Sequence, residues 1–346
     1  VPPIPYGGSD ATALGIALTA FGGGMARHLP TASIHVPGLR LEIASDSGDY
    51  LAVCRRALVD DPAFVVHRRL QVTVVDYATH PDMPSGIWSG IHDVRALDRG
   101  LQAIGMEGSV DLARRTLKFC RPERGSGIQV LMAPGQYPPW ESSFPLRDFL
   151  HWTYRHIGWQ LLHAGTLANA HGGVMLVGEG GSGKSATVLA GVLAGLSSAG
   201  DDYTVVDATA ERPVAHPVVR LMKQDARGLR RLGVDPSAFG PVTWQQKHEF
   251  DVAALRGGRL ASVGLDAILI PRIARAARTS VSPAPARAVM THLVPSNLRQ
   301  LPGDWRPTFE CAATLARRLP AFYLDLSEDA DDVAGAIVTF LNGDRP

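Results

Sequence analysis

The octapeptide Gly178-Glu-Gly-Gly-Ser-Gly183-Lys184-Ser185 constrains this chain more than any other stretch, because it satisfies G-x-x-x-x-G-K-[ST] at every fixed position. Such a loop works in one setting only. Its glycines let the backbone bend until successive N–H groups point at phosphate oxygens. A helix starting at its end adds a positive dipole terminus. The flanks supply that setting: residues 174–177 read as a short apolar strand, 184–196 as a helix and 203–206 as another strand. Strand, glycine-rich loop, helix and strand make a nucleotide-binding unit, so the expected fold class is α/β. The residues expected to hold the nucleotide are Gly178, Glu179, Gly180, Gly181, Ser182, Gly183, Lys184, Ser185 and Ala186. The expected cofactors are ATP and Mg²⁺, with Lys184 reaching the β- and γ-phosphates and the Ser185 hydroxyl on the metal.

Marks of several P-loop classes are missing. There is no LSGGQ-like signature of transport ATPases and no N-K-x-D for reading guanine. The apolar run 267–270 ends in Pro271-Arg272 where motor-type ATPases carry an acid. Another group must therefore serve the metal and activate a nucleophile, and the pair Asp201-Asp202 is the best candidate. Adjacent side chains at a strand start point opposite ways, so one aspartate can face the nucleophile and the other the metal. A hydroxyl nucleophile needs a proton acceptor within hydrogen-bond reach.

The 346 residues suffice for one large or two ordinary domains. Residues 1–140 read as a smaller N-terminal α+β module, with strands at 33–43 and 70–75, a short helix within 46–60, and loops at 86–90 and 121–127. A Pro-rich linker at 134–140 leads into the second domain, 141–346. That domain opens on a helix capped by Ser143, with Pro145 in its first turn, and running by apolar periodicity to Leu161. Strands at 265–270 and 322–326, a loop at 276–288 and a closing helix at 331–341 follow. The net charge of +1 gives no global pull towards nucleic acid or membrane, and neither is expected as a partner. Cys54, Cys120 and Cys311 are odd in number and far apart, which fits buried thiols in a reducing compartment rather than a disulfide framework. The apolar stretch 13–21 lacks a basic flank and is too short to span a bilayer, so a soluble cytoplasmic protein is expected.

His163-Ala-Gly upstream of Lys184 and Asp201-Asp202 downstream of it keep the order and spacing of a histidine, a P-loop lysine and an Asp-Asp pair in HPr kinase/phosphorylase. Across 163–206 the chain resembles that family of bacterial protein-serine kinases, whose core is related to PEP carboxykinases. A weaker likeness continues through Leu269-Ile-Pro-Arg272 and Pro320-Ala-Phe-Tyr-Leu324, and is similar to divergent members that modify ribosomally made peptides such as lasso peptides. The resemblance implies a kinase acting on a serine of a peptide or small protein, with a homo-oligomer as the family's usual assembly. It implies Asp201 as general base, Asp202 on Mg²⁺ or a basic group, and His163 beside the carboxylates and the phosphate, with Lys184 as the third catalytic residue. The family's downstream Glu-x-Arg-Gly has only an echo here, Asp225-Ala-Arg227-Gly228. Lys247, Glu249 and Arg272 are further polar residues able to reach phosphate or metal. An ATPase driving conformational change and a non-catalytic nucleotide-binding regulator are the rival readings.

Overall fold

The computed structural model describes residues 11–80, 83, 94–111, 113–132, 135–240, 242–243 and 245–344. The loop expected at 86–90 lies outside them. The chain divides into two compact units, Val1–Ile157 and Gly158–Pro346, and both are α/β.

The first unit holds helices α1 (Ala11–Met25), α2 (Gly48–Ala57), α3 (Val94–Gln102) and α4 (Arg147–Arg155). Its strands are β1 (Thr31–Val36), β2 (Gly38–Ser45), β3 (Val66–Asp76), β4 (Glu107–Asp111), β5 (Thr116–Arg121) and β6 (Ser126–Leu131). They form one sheet in the order β1-β2-β3-β6-β5-β4, parallel at its centre and antiparallel at both sides. Alternation buries Leu39, Leu41 and Ile43 of β2. The stretch 33–43 is two strands rather than the one expected, because Pro37 and Gly38, the latter with φ +79°, make the turn of a hairpin that pairs Val36 with Leu39. Residues 121–127 form a tight 3₁₀ turn, Pro122–Arg124, between β5 and β6. Helix α2 fills the middle of the expected segment 46–60, with the Ser47 side chain accepting from Tyr50 N at its start.

The helix expected from Ser143 to Leu161 is shorter. Ser143 instead closes a 3₁₀ turn, Pro139–Ser142. Leu146 enters α4 with φ +56°, and Gly158, with φ +80°, turns the chain away after it. This segment packs within the first unit through a buried ion network. Lys118 Nζ lies 2.7 Å from Glu141 Oε1 and 3.0 Å from Asp148 Oδ2. The Tyr50 hydroxyl and the Gln129 amide donate to Glu141. The Pro-rich stretch thus leads into a core anchor, and removing one partner of such a buried pair costs roughly 3–5 kcal/mol. Cys54 and Cys120 are buried in this unit, and burial pushes both thiols up.

The second unit contains strands β7 (Gln160–Leu162), β8 (Gly165–Ala168), β9 (Gly173–Leu176), β10 (Thr204–Asp207), β11 (Val214–Pro217), β12 (Leu221–Asp225), β13 (Lys247–Asp251), β14 (Val263–Gly264), β15 (Ala267–Ala276), β16 (Ser280–Ala284) and β17 (Ala321–Ser327). Its helices are α5 (Lys184–Leu193), α6 (Ala226–Arg231), α7 (Ala286–Leu298), α8 (Arg306–Arg318) and α9 (Ala330–Leu341). The central sheet runs β16-β17-β15-β9-β8 and is parallel across β17, β15 and β9. A four-stranded antiparallel sheet, β14-β11-β10-β7, and the hairpin β12-β13 complete the unit. The run Ala267–Ile270 of β15 is buried on both faces, as a central parallel strand requires. One core cluster joins it to α5 and α9, through Val188, Leu189, Val333 and Ile337. The stretch 276–288 is not the expected loop. It holds β16 and the start of α7, and Pro283 is tolerated because β16 is an edge strand, paired only with β17. The apolar stretch 13–21 lies within α1, and among the described residues no helix is long and apolar enough to cross a membrane.

Candidate functional site

In open α/β sheets ligands bind beyond the carboxyl ends of the parallel strands. Here those ends are marked by the glycine-rich loop after β9, Ile273 of β15, and Leu326 and Ser327 of β17. All of them line one cavity of about 500 Å³. The loop needs its glycines. Gly183 has φ +100°, and a Cβ there would stand 2.6 Å from Leu326 Cδ1. Directly after it α5 begins, so its first N–H groups face the cavity side of the loop. Lys184 is buried, and its Nζ donates to the carbonyls of Gly178 (2.6 Å) and Glu179 (3.2 Å). Burial lowers its pKa, and Asp202 and Asp201 oppose that shift.

The two aspartates stand just ahead of β10 in different surroundings. Asp202 lines the cavity with about a quarter of its side chain open. Its Oδ1 lies 3.2 Å from His163 Nε2, and its Oδ2 lies 2.9 Å from Lys223 Nζ. Burial would raise its pKa, yet Lys223 and His163 together hold it well below the usual carboxylate range. Asp201 is buried, and its carboxylate oxygens have no hydrogen-bond partner beyond the neighbouring Ser185 hydroxyl. Burial and the neighbouring Asp202 raise it to about 7, while Ser185, Lys223 and Lys247 pull the other way.

His163 sits between β7 and β8, held by the end of α7. Its backbone N–H donates to Asn297 Oδ1 (2.8 Å), and its Nδ1 meets Ser296 Oγ (2.5 Å) and Gln300 Nε2 (2.9 Å). The Tyr203 hydroxyl donates to Gln300 Oε1, which turns that amide's NH₂ towards the imidazole. His163 Nδ1 then accepts, and its Nε2–H donates to Asp202. Gly165, two residues on, leaves room for Val188 of α5 and the backbone of Asp201, since a Cβ would lie 2.7 Å from Val188 Cγ2. The His-Ala-Gly triplet thus ties α5, the acid pair and the imidazole into one arrangement.

Of the residues expected from sequence, His163, Glu179, Gly180, Gly181, Gly183, Lys184, Ser185, Ala186 and Asp202 line the cavity. Gly178, Ser182 and Asp201 lie behind that surface: Gly178 holds Lys184, and Ser182 N donates to Glu179 O. Asp225 caps α6 by accepting from Gly228 N (2.6 Å). Arg272 is spent in a paired bond to Asp325 (2.7 and 2.6 Å) and lies over the Tyr323 ring. Glu249 stands opposite Lys223 in the β12-β13 ladder, and Lys247 lines the cavity. Lys223, Ser296, Asn297, Gln300 and Arg231 escaped the sequence reading. No motif marks them, and the α7 residues lie far along the chain from His163.

Among the described residues no group of three or more His, Cys, Asp or Glu could hold a metal by itself. Magnesium at nucleotide sites takes one or two carboxylates together with phosphate oxygens. The buried carboxylate of Asp201, with no partner but Ser185, fits that need. Asp202 already has both oxygens engaged.

No family model matches the chain, and no curated protein matches its sequence. Among solved structures, the HPr(Ser) kinase/phosphatase of Coxiella burnetii is similar at 12% identity and a TM-score of 0.28. The match covers 52% of this chain and 95% of that one. A likeness that loose leaves the chemistry to the site's own geometry.

Proposed function

We infer that this protein is an ATP- and Mg²⁺-dependent kinase that passes the γ-phosphoryl group to a hydroxyl, a serine of a peptide or small protein such as a lasso-type precursor. The observation that carries the reading is Asp202. A carboxylate held by Lys223 and His163 opens into the same cavity as a complete phosphate loop. An ATPase needs only to position water, whereas a fixed carboxylate open to the cavity can also orient a hydroxyl acceptor.

The loop N–H groups, the start of α5 and Lys184 would bind the phosphates and neutralise charge that develops during transfer. To do so, Lys184 exchanges its two carbonyl partners for phosphate oxygens. Ser185 and Asp201 would hold magnesium, which supplies charge neutralisation on the phosphates when bound. Asp202 would orient the acceptor hydroxyl and take its proton, with Lys223 and His163 fixing its position. This division of labour reverses the one implied by the family resemblance. The burial of Asp201 beside Ser185 and the open face of Asp202 support it. A depressed pKa is no bar, because proton transfer carries little of the barrier in a loose phosphoryl-transfer transition state. A cytoplasmic setting, a homo-oligomer and substrate recognition by the first unit belong to the same proposal.

The test is transfer from γ-labelled ATP to serine peptides before and after chelation of divalent metal. Label should reach peptide serine only with magnesium present. Transfer that persists at full rate in excess chelator would rule the reading out.

A further inference from the structure

The charges lining the cavity are unevenly satisfied. Among its acids, Asp202 is paired with Lys223 and His163, Glu179 lies 3.1 Å from Arg299, and Glu328, exposed in the turn before α9, has no ion pair among the described residues. Asp225 and Asp329 are spent as helix caps. Three cations on the opposite account have no ion pair among the described residues: Arg227 and Arg231 of α6, and Lys247 of β13. They form one wall. Arg227 and Arg231 are four residues apart on a helix and so share a face, and both are exposed. The ladder sets Lys247 opposite Asp225, where α6 begins.

A nucleotide alone does not account for this wall. The loop N–H groups, Lys184 and a bound magnesium already offset most of a triphosphate's charge. Like charges gathered without partners repel one another, and an incoming anion relieves that repulsion. Arginines also offer paired donors that match carboxylates in geometry. Their exposure at the rim points the wall towards an acceptor that extends out of the cavity.

Resting on the kinase reading, we propose that the acceptor is an acidic peptide, and that Arg227, Arg231 and Lys247 engage carboxylates flanking the hydroxyl that receives the phosphoryl group. The wall supplies specificity, and the Lys184–Asp202 side supplies the chemistry.

The experiment uses the full chain saturated with Mg²⁺ and the non-hydrolysable analogue AMP-PNP. Binding of three fluorescent peptides is followed by anisotropy: a serine flanked by aspartates, its asparagine twin and its lysine twin. The aspartate peptide should bind at least tenfold tighter than the asparagine twin, with the advantage shrinking as salt rises. The double variant Arg227→Gln/Arg231→Gln should erase that advantage while calorimetric affinity for Mg·AMP-PNP stays within about twofold. Arg231→Glu should turn the preference towards the lysine twin, an outcome that a merely misfolded variant cannot give. Equal behaviour of the aspartate and asparagine peptides, including no binding of either, overturns the inference. So does a tenfold loss of nucleotide affinity in the double variant, because the wall would then belong to the nucleotide. Absence of any Mg·AMP-PNP binding to the unaltered protein is a different failure, that of the kinase reading itself.

Discussion

Asp201 and Asp202 are adjacent and chemically identical, yet their surroundings separate them into an anion fixed by Lys223 and His163 and a buried acid with a pKa of about 7. Asparagine at either position keeps size and some hydrogen bonding but removes the charge. Asp202→Asn should lower transfer by roughly 10²-fold with little effect on nucleotide affinity, the loss expected when the acceptor hydroxyl is no longer held in line. Asp201→Asn should instead raise the magnesium concentration needed for half-maximal transfer. Kinetics across a magnesium titration separate the two, and the opposite pattern would restore Asp201 as the base. Asp201 also makes a pH prediction without substrate. Its folded pKa lies above the unfolded value near 4. The stability tied to its protonated form is therefore complete below that value and lost as pH rises through about 7. Asp201→Asn should melt higher than the natural protein at pH 8 and alongside it at pH 4. Parallel melting at both pH values would mean that the buried carboxyl carries no such cost.

At the scale of elements, the junction from β9 to α5 is where local sequence and tertiary need agree. The glycine-rich loop was legible because its backbone geometry admits few residue types, and Gly183 shows why: its φ of +100° is strained for any L side chain, and a Cβ there would also press on Leu326. Gly183→Ala should abolish nucleotide binding measured by calorimetry while leaving far-ultraviolet circular dichroism unchanged. Retained affinity would show that the loop can bend another way. The neighbouring elements were less legible for identifiable reasons. Apolar periodicity from Leu146 to Leu161 suggested one helix, but periodicity does not register the turn at Gly158 or the strand that starts at Gln160. Ala, Pro and Ser at 276–288 suggested a loop. An edge strand accepts those residues because only one of its sides must pair. His163 was legible from its spacing to Lys184. Its holders, Ser296, Asn297 and Gln300, were not, since nothing local to α7 signals a contact made across the unit.

For the whole molecule, the α/β class followed from the strand–loop–helix–strand run, because that run needs parallel strands covered by helices. The point where the chain divides did not follow. A Pro-rich stretch suggests a linker, but Glu141 and Asp148 bind Lys118 in the first unit's interior, so α4 belongs there. Long-range ion pairs of this kind leave no periodic trace in sequence. In the second unit the cavity gathers residues from the loop after β9, from β15 and β17, and from α6 and the turn before α9. Chemistry at this cavity depends on Lys184 bringing its charge to a transferring phosphate. The most direct measurement is transfer from γ-labelled ATP to a panel of serine peptides by the natural protein and by folded Lys184→Ala, with phosphate released to water counted alongside. The natural protein should label peptide serine, and the variant should lose more than about tenfold, or ~1.4 kcal/mol of transition-state stabilisation. Label that goes only to water at a rate no acceptor changes, or a variant that transfers within about tenfold of the natural protein, would contradict transfer to serine at this cavity.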